Sequence, residues 1–202
     1  MVILQKEQET GGRFSISLKY DDYDIIYKIS KFVPCNYTIS CRERITNFTP
    51  KSKTSKSIGI RINNQCFREF LNENGVPHGN KTNNISPPLH SKNLSIIDYI
   101  RGLYDGDGSV GLTKTNRVVP YMSLTTSSDN VAYFIFDFIS NLCGKPKKKT
   151  NRNKRDNVYN IVVFKEDAIK LANLLYYKDC LSIKRKYEKA QTIKMWANNK
   201  LS

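Results

Sequence analysis

Two stretches of this chain carry one pattern of apolar and polar residues, and that repetition constrains the fold more than any single motif. Val2–Lys6 (VILQK) lies under Val110–Lys114 (VGLTK), and Phe14–Phe32 lies under Pro120–Phe138. In this register Ile16 falls on Met122 and Leu18 on Leu124, while Ile25, Ile29 and Phe32 fall on Val131, Ile135 and Phe138. Within each stretch the apolar spacing changes from every second residue to every third or fourth, the signature of a strand followed by a helix. A unit of this kind present twice predicts an α+β fold of two pseudo-symmetric halves, 1–92 and 93–202.

The same periodicities predict the elements. Strands are expected at 13–19, 37–46 and 57–63, the last two as a hairpin, and at 109–114, 118–125 and 158–164. A helix over 22–33 would bury Ile25, Ile26, Ile29, Phe32 and Val33 behind an Asp21 or Asp22 cap. A short helix with Phe67, Phe70 and Leu71 ends at Gly75, and a linker rich in Pro, Asn and Ser covers 76–92. Further helices are expected at 95–105, 129–142, 166–177 and 182–197, the first with the Ser95-x-x-Asp98 spacing of a capping box.

Lys and Arg outnumber Asp and Glu by 33 to 18, a net charge of +15. The excess is divided between the halves: 14 basic against 8 acidic residues before Asn93, and 19 against 10 from there on. One basic surface built twice suits a polyanionic partner such as nucleic acid. The densest cluster, Lys145–Arg155, holds seven basic residues in eleven, but it contains Pro146 and no apolar residue, so it is no membrane-surface helix. No run of 18 apolar residues exists, and no secretory signal is expected. Five cysteines at 35, 41, 66, 143 and 180 form no C-x-x-C pair and read as reduced, mostly buried thiols of an intracellular protein. His78 and His90 form no zinc-binding pair.

The chemistry concentrates in Leu94–Gly111, LSIIDYIRGLYDGDGSVG. Gly106-x-Gly108-x-x-Gly111 matches a dinucleotide-binding pattern, but that site needs a strand before it and a helix after it, the reverse of the order here. Asp105-x-Asp107-x-Ser109 matches the start of a calcium loop, but Val110 and Asn116 stand where Gly and Glu are required. Taken as helix plus acidic end, the segment has a different logic. Gly102 inside an apolar helix costs about 1 kcal/mol relative to Ala and is most useful where another backbone comes close. Asp107, expected just past the helix end on a reversal made by Gly106 and Gly108, is a hard oxygen ligand suited to Mg²⁺ beside a phosphate. Two aspartates at the negative end of a helix also carry an electrostatic cost that turn formation alone does not explain.

Ile100–Gly108, IRGLYDGDG, resembles the motif of the LAGLIDADG homing endonucleases. Gly75–Lys81 (GVPHGNK) looks like the stretch between repeats of that family, and 180–193 (CLSIKRKYEKAQTI) like the start of its closing helix. The resemblance implies Mg²⁺-dependent double-strand cleavage of a long DNA site. It implies metal binding by Asp107 with the Gly108 carbonyl, a helix–helix interface at Gly102 with Asp105 chiefly structural, and a lysine near each active site, Lys184 and Lys81. It also implies a saddle of twisted sheets over the major groove. The basic residues on or between strands are Arg42, Arg44, Lys56, Arg61, Lys114 and Arg117; those in hairpin loops are Lys51, Lys53, Lys147, Lys148, Lys149, Arg152, Lys154 and Arg155.

One departure is visible. With Val2 under Val110, Met1 falls on Ser109, so the first repeat has no counterpart of 95–108. The expectation is a two-repeat protein of the monomeric type without its first leading helix: a product truncated before its first motif, a decayed enzyme that still binds DNA, or a chain that self-associates through its single motif helix. No C-terminal His-Asn splicing pair is present, which favours a free-standing or intron-encoded frame. A non-catalytic nucleic-acid binder, such as an intron maturase contacting intron RNA or a DNA-binding regulator, would use the same basic sheets without a second Asp.

Overall fold

A computed structural model describes residues 2–5, 12–46, 53–79, 82–89, 93–114, 118–146 and 150–196. It divides into two units, Met1–Lys81 and Thr82–Ser202.

In the first unit β1 (Val2–Gln5) pairs with β2 (Arg13–Lys19), and a 3₁₀ turn at 20–22 leads into α1 (Tyr23–Ser30). β3 (Tyr37–Thr46) and β4 (Lys53–Asn63) form a long hairpin, and α2 (Gln65–Glu73) follows. The sheet is antiparallel, in the order β1-β2-β4-β3. Alternation sends Phe14, Ile58, Ile60 and Ile62 to one face, where they bury against Ile26. Asn64 caps α2 by accepting from the Phe67 amide at 2.8 Å, and Gly75 stops it in a left-handed conformation, φ 87°. Neither expected aspartate caps α1 through its side chain. That helix ends at Ser30, which leaves Phe32 beyond its buried face and 75% exposed.

The second unit opens with α3 (Ile96–Asp107), followed by β5 (Gly108–Leu112), β6 (Pro120–Thr126), α4 (Asp129–Cys143), β7 (Tyr159–Phe164), α5 (Lys165–Leu175) and α6 (Lys184–Met195). Its sheet order is β5-β6-β7. Ile100, Tyr104, Val110, Met122, Leu124, Ile135, Phe136, Ile161, Leu171, Tyr176, Ala190 and Ile193 form one core to which every helix and strand of the unit contributes. Gly144, φ 66°, ends α4 in the left-handed conformation. The segment 82–89 is not a bare tether: Ser128 donates to the Ile85 carbonyl at 2.6 Å and Ser127 to the Thr82 carbonyl at 2.8 Å, which ties it to the start of α4.

The duplication holds in the strand register. Val2 opposes Ile16 and Val110 opposes Met122, the very residues that the sequence superposition equates. β4 and β7 then occupy the same place beside β2 and β6, with β3 an additional edge strand of the first unit. No helix of the described residues is long and apolar enough to cross a membrane. The cysteines are free, as expected, but not mostly buried: Cys41 and Cys66 are exposed and the other three half-buried at the margins of the two cores.

Candidate active site and nucleic-acid interface

α3 is seated by its charged residues as much as by its apolar ones. Ser95 Oγ accepts from the Asp98 amide at 3.2 Å and starts the helix. Ile100 and Tyr104 are fully buried, and Arg101 between them is buried too. Its guanidinium donates to the carbonyls of Leu181 (2.9 Å) and Leu175 (3.3 Å), pairs with Asp98 at 2.7 Å and lies over the Tyr177 ring. Partial burial pushes the Asp98 carboxyl up, but hydrogen bonds from Tyr177, Arg101 and Ser95 outweigh it and leave it below the usual range.

At the other end of the helix the two aspartates part company. Asp105 is buried and accepts from Tyr176 Oη and from the Ile183 amide, both at 2.9 Å. Burial raises its carboxyl above the usual range, against those two hydrogen bonds and the nearby charges of Lys186 and Arg101. Asp107 is exposed. It is the last residue of the helix rather than a residue beyond it, and no reversal intervenes: Gly108, φ −94°, caps the helix and begins β5. Gly108 is needed there for space, since a Cβ would lie 2.6 Å from the Tyr104 oxygen and 2.7 Å from its Cα.

Lys186 of α6 holds this end together. Its Nζ donates to the carbonyls of Tyr104 (2.6 Å), Asp105 (2.6 Å) and Gly108 (2.9 Å). A cation against the last carbonyls offsets the negative helix end and the buried Asp105, the electrostatic cost noted above. Sequence reasoning singled out Lys184, which stands exposed at the first position of α6, and missed Lys186. Lys81 lies outside the described residues. No atom comes within 4 Å of a Cβ built on Gly102, which is exposed on the outer side of α3.

The basic residues sort by face. On the first sheet Arg13, Arg42, Arg44 and Arg61 line one open groove with Ser15, Ser17, Ser40, Ser55 and Ser57, opposite the apolar face. Arg13 was not among the expected contacts. Lys56 alternates to the other face and pairs with Glu43 at 3.8 Å. Lys53 opens β4 with its backbone opposite Thr46. Lys51, Arg117, Lys147, Lys148 and Lys149 lie outside the described residues. In the second unit Lys114 and Lys154 are exposed, and Arg155 pairs with its neighbour Asp156 at 3.0 Å. Arg152 is committed to the fold: it donates to the Ser127 carbonyl (2.7 Å), the Asn157 carbonyl (2.8 Å) and Asp129 (3.0 Å), and lies over the Tyr159 ring.

Residues 95–175, which contain α3 and the sheet behind it, match the family model described as a LAGLIDADG-like domain. That match covers about two fifths of the chain. Solved structures of the LAGLIDADG fold resemble it over nearly its whole length. I-SmaMI bound to uncleaved DNA target in the presence of calcium ions is 14% identical, TM-score 0.57, over 99% of this chain and 87% of that one. The homing endonuclease I-WcaI bound to its DNA recognition sequence is 14% identical, TM-score 0.57, over 94% and 80%. The LAGLIDADG meganuclease I-AabMI bound to uncleaved DNA is 13% identical, TM-score 0.54, over 99% and 87%. These likenesses are of fold, and they bear out the α+β architecture expected of a LAGLIDADG chain. A curated relative, the tRNA-splicing ligase RtcB of Pyrococcus abyssi, is 24% identical over 181 residues. These are 80% of this chain and 19% of that protein, so the chain spans about a fifth of the relative's length.

No group of three or more His, Cys, Asp or Glu able to enclose a metal exists among the described residues. The donor set at the end of α3 fits a different kind of site. Mg²⁺ commonly binds through one or two carboxylates with the rest of its shell from phosphate and water. An exposed Asp107 with no competing cation on its carboxylate among the described residues has that chemistry.

Proposed function

We propose that this chain is a sequence-specific DNA-binding protein of the homing-endonuclease type, with phosphodiester hydrolysis directed from the carboxyl end of α3. The observation that carries the reading is the division of labour between the two aspartates. Asp105 is turned inward, accepting from Tyr176 and the Ile183 amide near the charge of Lys186, while Asp107 stands two residues on and is presented to solvent. A helix that needed only a terminus would have no use for the second carboxylate.

Bound Mg²⁺ would neutralise charge on the scissile phosphate and favour ionisation of an attacking water. The protein's part is positional. Asp107 holds the metal at the rim of α3, and the Gly108 carbonyl, already accepting from Lys186, keeps a second lone pair. Lys184, exposed on the first turn of α6, is a cation able to offset charge on the phosphate. The arginine and serine face of the first sheet supplies DNA contacts. Asp107 serves one strand, so breakage of both strands calls for a second such carboxylate, from another motif helix or from a second chain.

The test is cleavage of a plasmid bearing a selected binding site, with Mg²⁺, by the chain and by Asp107→Asn. Nicked or linear product from the first and none from the second is the expected result. Binding without cleavage by either would favour the second reading, a non-catalytic binder of DNA or intron RNA, which the lone exposed carboxylate among the described residues of the motif helix also suits.

A further inference from the structure

The outward faces of the two sheets differ in kind. From that difference we propose that the two halves of the DNA target differ in composition, with guanine in the half read by the first sheet and A·T pairs in the half read by the second. The inference rests on the DNA-binding reading above and adds which bases each unit selects.

In the middle of the first sheet the outward positions are small except for the arginines, and of the lysines near its ends Lys19 pairs with Asp21 at 2.6 Å. Ser17, Gly59 and Ser40 oppose one another across three strands, Arg42 opposes Ser57, and Arg44 opposes Ser55. A guanidinium rising from a floor of serine and glycine is the group that reaches farthest from the sheet. Among the described residues no carboxylate pairs with Arg42, Arg44 or Arg61; the one on β3, Glu43, faces the other way beside Lys56. Contrast Arg101 and Arg152, each tied to an aspartate at 3.0 Å or less. The planar fork of an arginine matches O6 and N7 of guanine in the major groove, and that groove is wide enough for a β-ribbon. Arg42 and Arg44 stand two residues apart on one strand, about 6.8 Å. That is close to two nucleotide steps of about 3.4 Å each.

The second sheet offers different groups. Its outward positions include Tyr121, Ser123, Thr125, Asn160, Val162 and Phe164, with no charged side chain among those of its three strands. Thr125 Oγ1 donates to Asn160 Oδ1 at 3.0 Å, which fixes the amide with its NH₂ outward. Amide donors and acceptors suit adenine, and apolar surface suits the thymine methyl; among the described strand residues of this face no arginine or lysine offers the two-pronged contact to guanine.

The experiment is selection of bound duplexes from a randomised pool by the whole chain in EDTA, repeated with Arg42→Ala, Arg44→Ala and Arg42→Lys. The expected consensus has guanines two base pairs apart in one half and A·T pairs in the other. Each alanine variant should lose preference at one guanine by about 5- to 150-fold and keep the rest. Arg42→Lys should keep most of the affinity and lose the same preference, since the charge remains and the fork does not. Guanine in both halves or in neither would overturn the inference. So would alanine variants that bind all sequences uniformly more weakly, the behaviour of phosphate contacts. Failure of the chain to retain any duplex would overturn this inference and the DNA-binding reading together, whereas retention without a consensus would overturn this inference alone.

Discussion

Lys186 donates to the carbonyl of Gly108 across 2.9 Å, linking α6 to the one residue that is both the cap of α3 and the start of β5. The same ammonium reaches the Tyr104 and Asp105 carbonyls, so its donors are spent inside the protein. Its removal takes one donor from each of three carbonyls and the nearby positive charge from a buried carboxylate. Lys186→Met should cost about 3–5 kcal/mol in urea unfolding. The double variant with Asp105→Leu should recover part of that loss; a double variant no better than the single would mean that the carboxylate is not what the lysine offsets.

The two glycines of the motif should respond in opposite directions. Gly108→Ala drives a Cβ into the Tyr104 backbone and should destabilise by about 1–3 kcal/mol. Gly102→Ala meets open space on a helix surface and should stabilise the chain by up to about 1 kcal/mol. Thermal melts of the two variants read both signs. A Gly102→Leu variant that changes the sedimentation coefficient would mark the outer side of α3 as a self-association surface.

Asp107→Asn should leave the fold alone, with a change in unfolding free energy within about 0.5 kcal/mol, because the side chain is exposed. Any Mg²⁺-dependent cleavage should vanish with it. Loss of folding in this variant would assign Asp107 a structural role and contradict its separation from Asp105.

The pH dependence of stability should carry two opposite contributions. The Asp98 carboxyl lies below its ordinary value of 3.8 in the folded chain, so its contribution is present above that pH and is lost as pH falls through the folded value. The stability gap between wild type and Asp98→Asn should therefore close on acidification. The Asp105 carboxyl is raised by burial, so the folded chain holds that proton more tightly. Its effect runs the other way: wild type loses ground to Asp105→Asn as pH climbs from 3.8 through the raised value. Urea midpoints from about pH 2.5 to 7 for the three proteins test both directions.

Much of this was legible in the residues. The superposition of Ile16 on Met122 anticipates the pairing register of both sheets, because strand period and burial leave little freedom in the alignment. The start of α3 was legible through Ser95. Its end was not, since Gly106 suggested a stop that the packing of Tyr104 and Lys186 overrides. Lys186 was hidden among Lys184, Arg185 and Lys189, although a signal existed: it falls on the stripe Ile183, Lys186, Ala190, Ile193, which is the buried side of α6. A lone cation on an apolar stripe is a candidate for burial with partners. Arg152 read as a DNA contact because a basic run does not disclose which member folds back; only the proximity of Asp129 and Tyr159 does.

The direct passage from α3 into β5 has a bearing on how such a protein can change. Asp107 ends the helix and Gly108 begins the strand, with no residue between them to absorb an insertion. One added residue would swing the carboxylate by about 100° around the helix axis and, in the same stroke, turn every side chain of β5 to the opposite face. On the reading proposed above, the metal-binding carboxylate and the DNA-contacting strand are phased like meshed gears. Target preference can drift by substitution along the strands, but any change of length at this junction alters both at once.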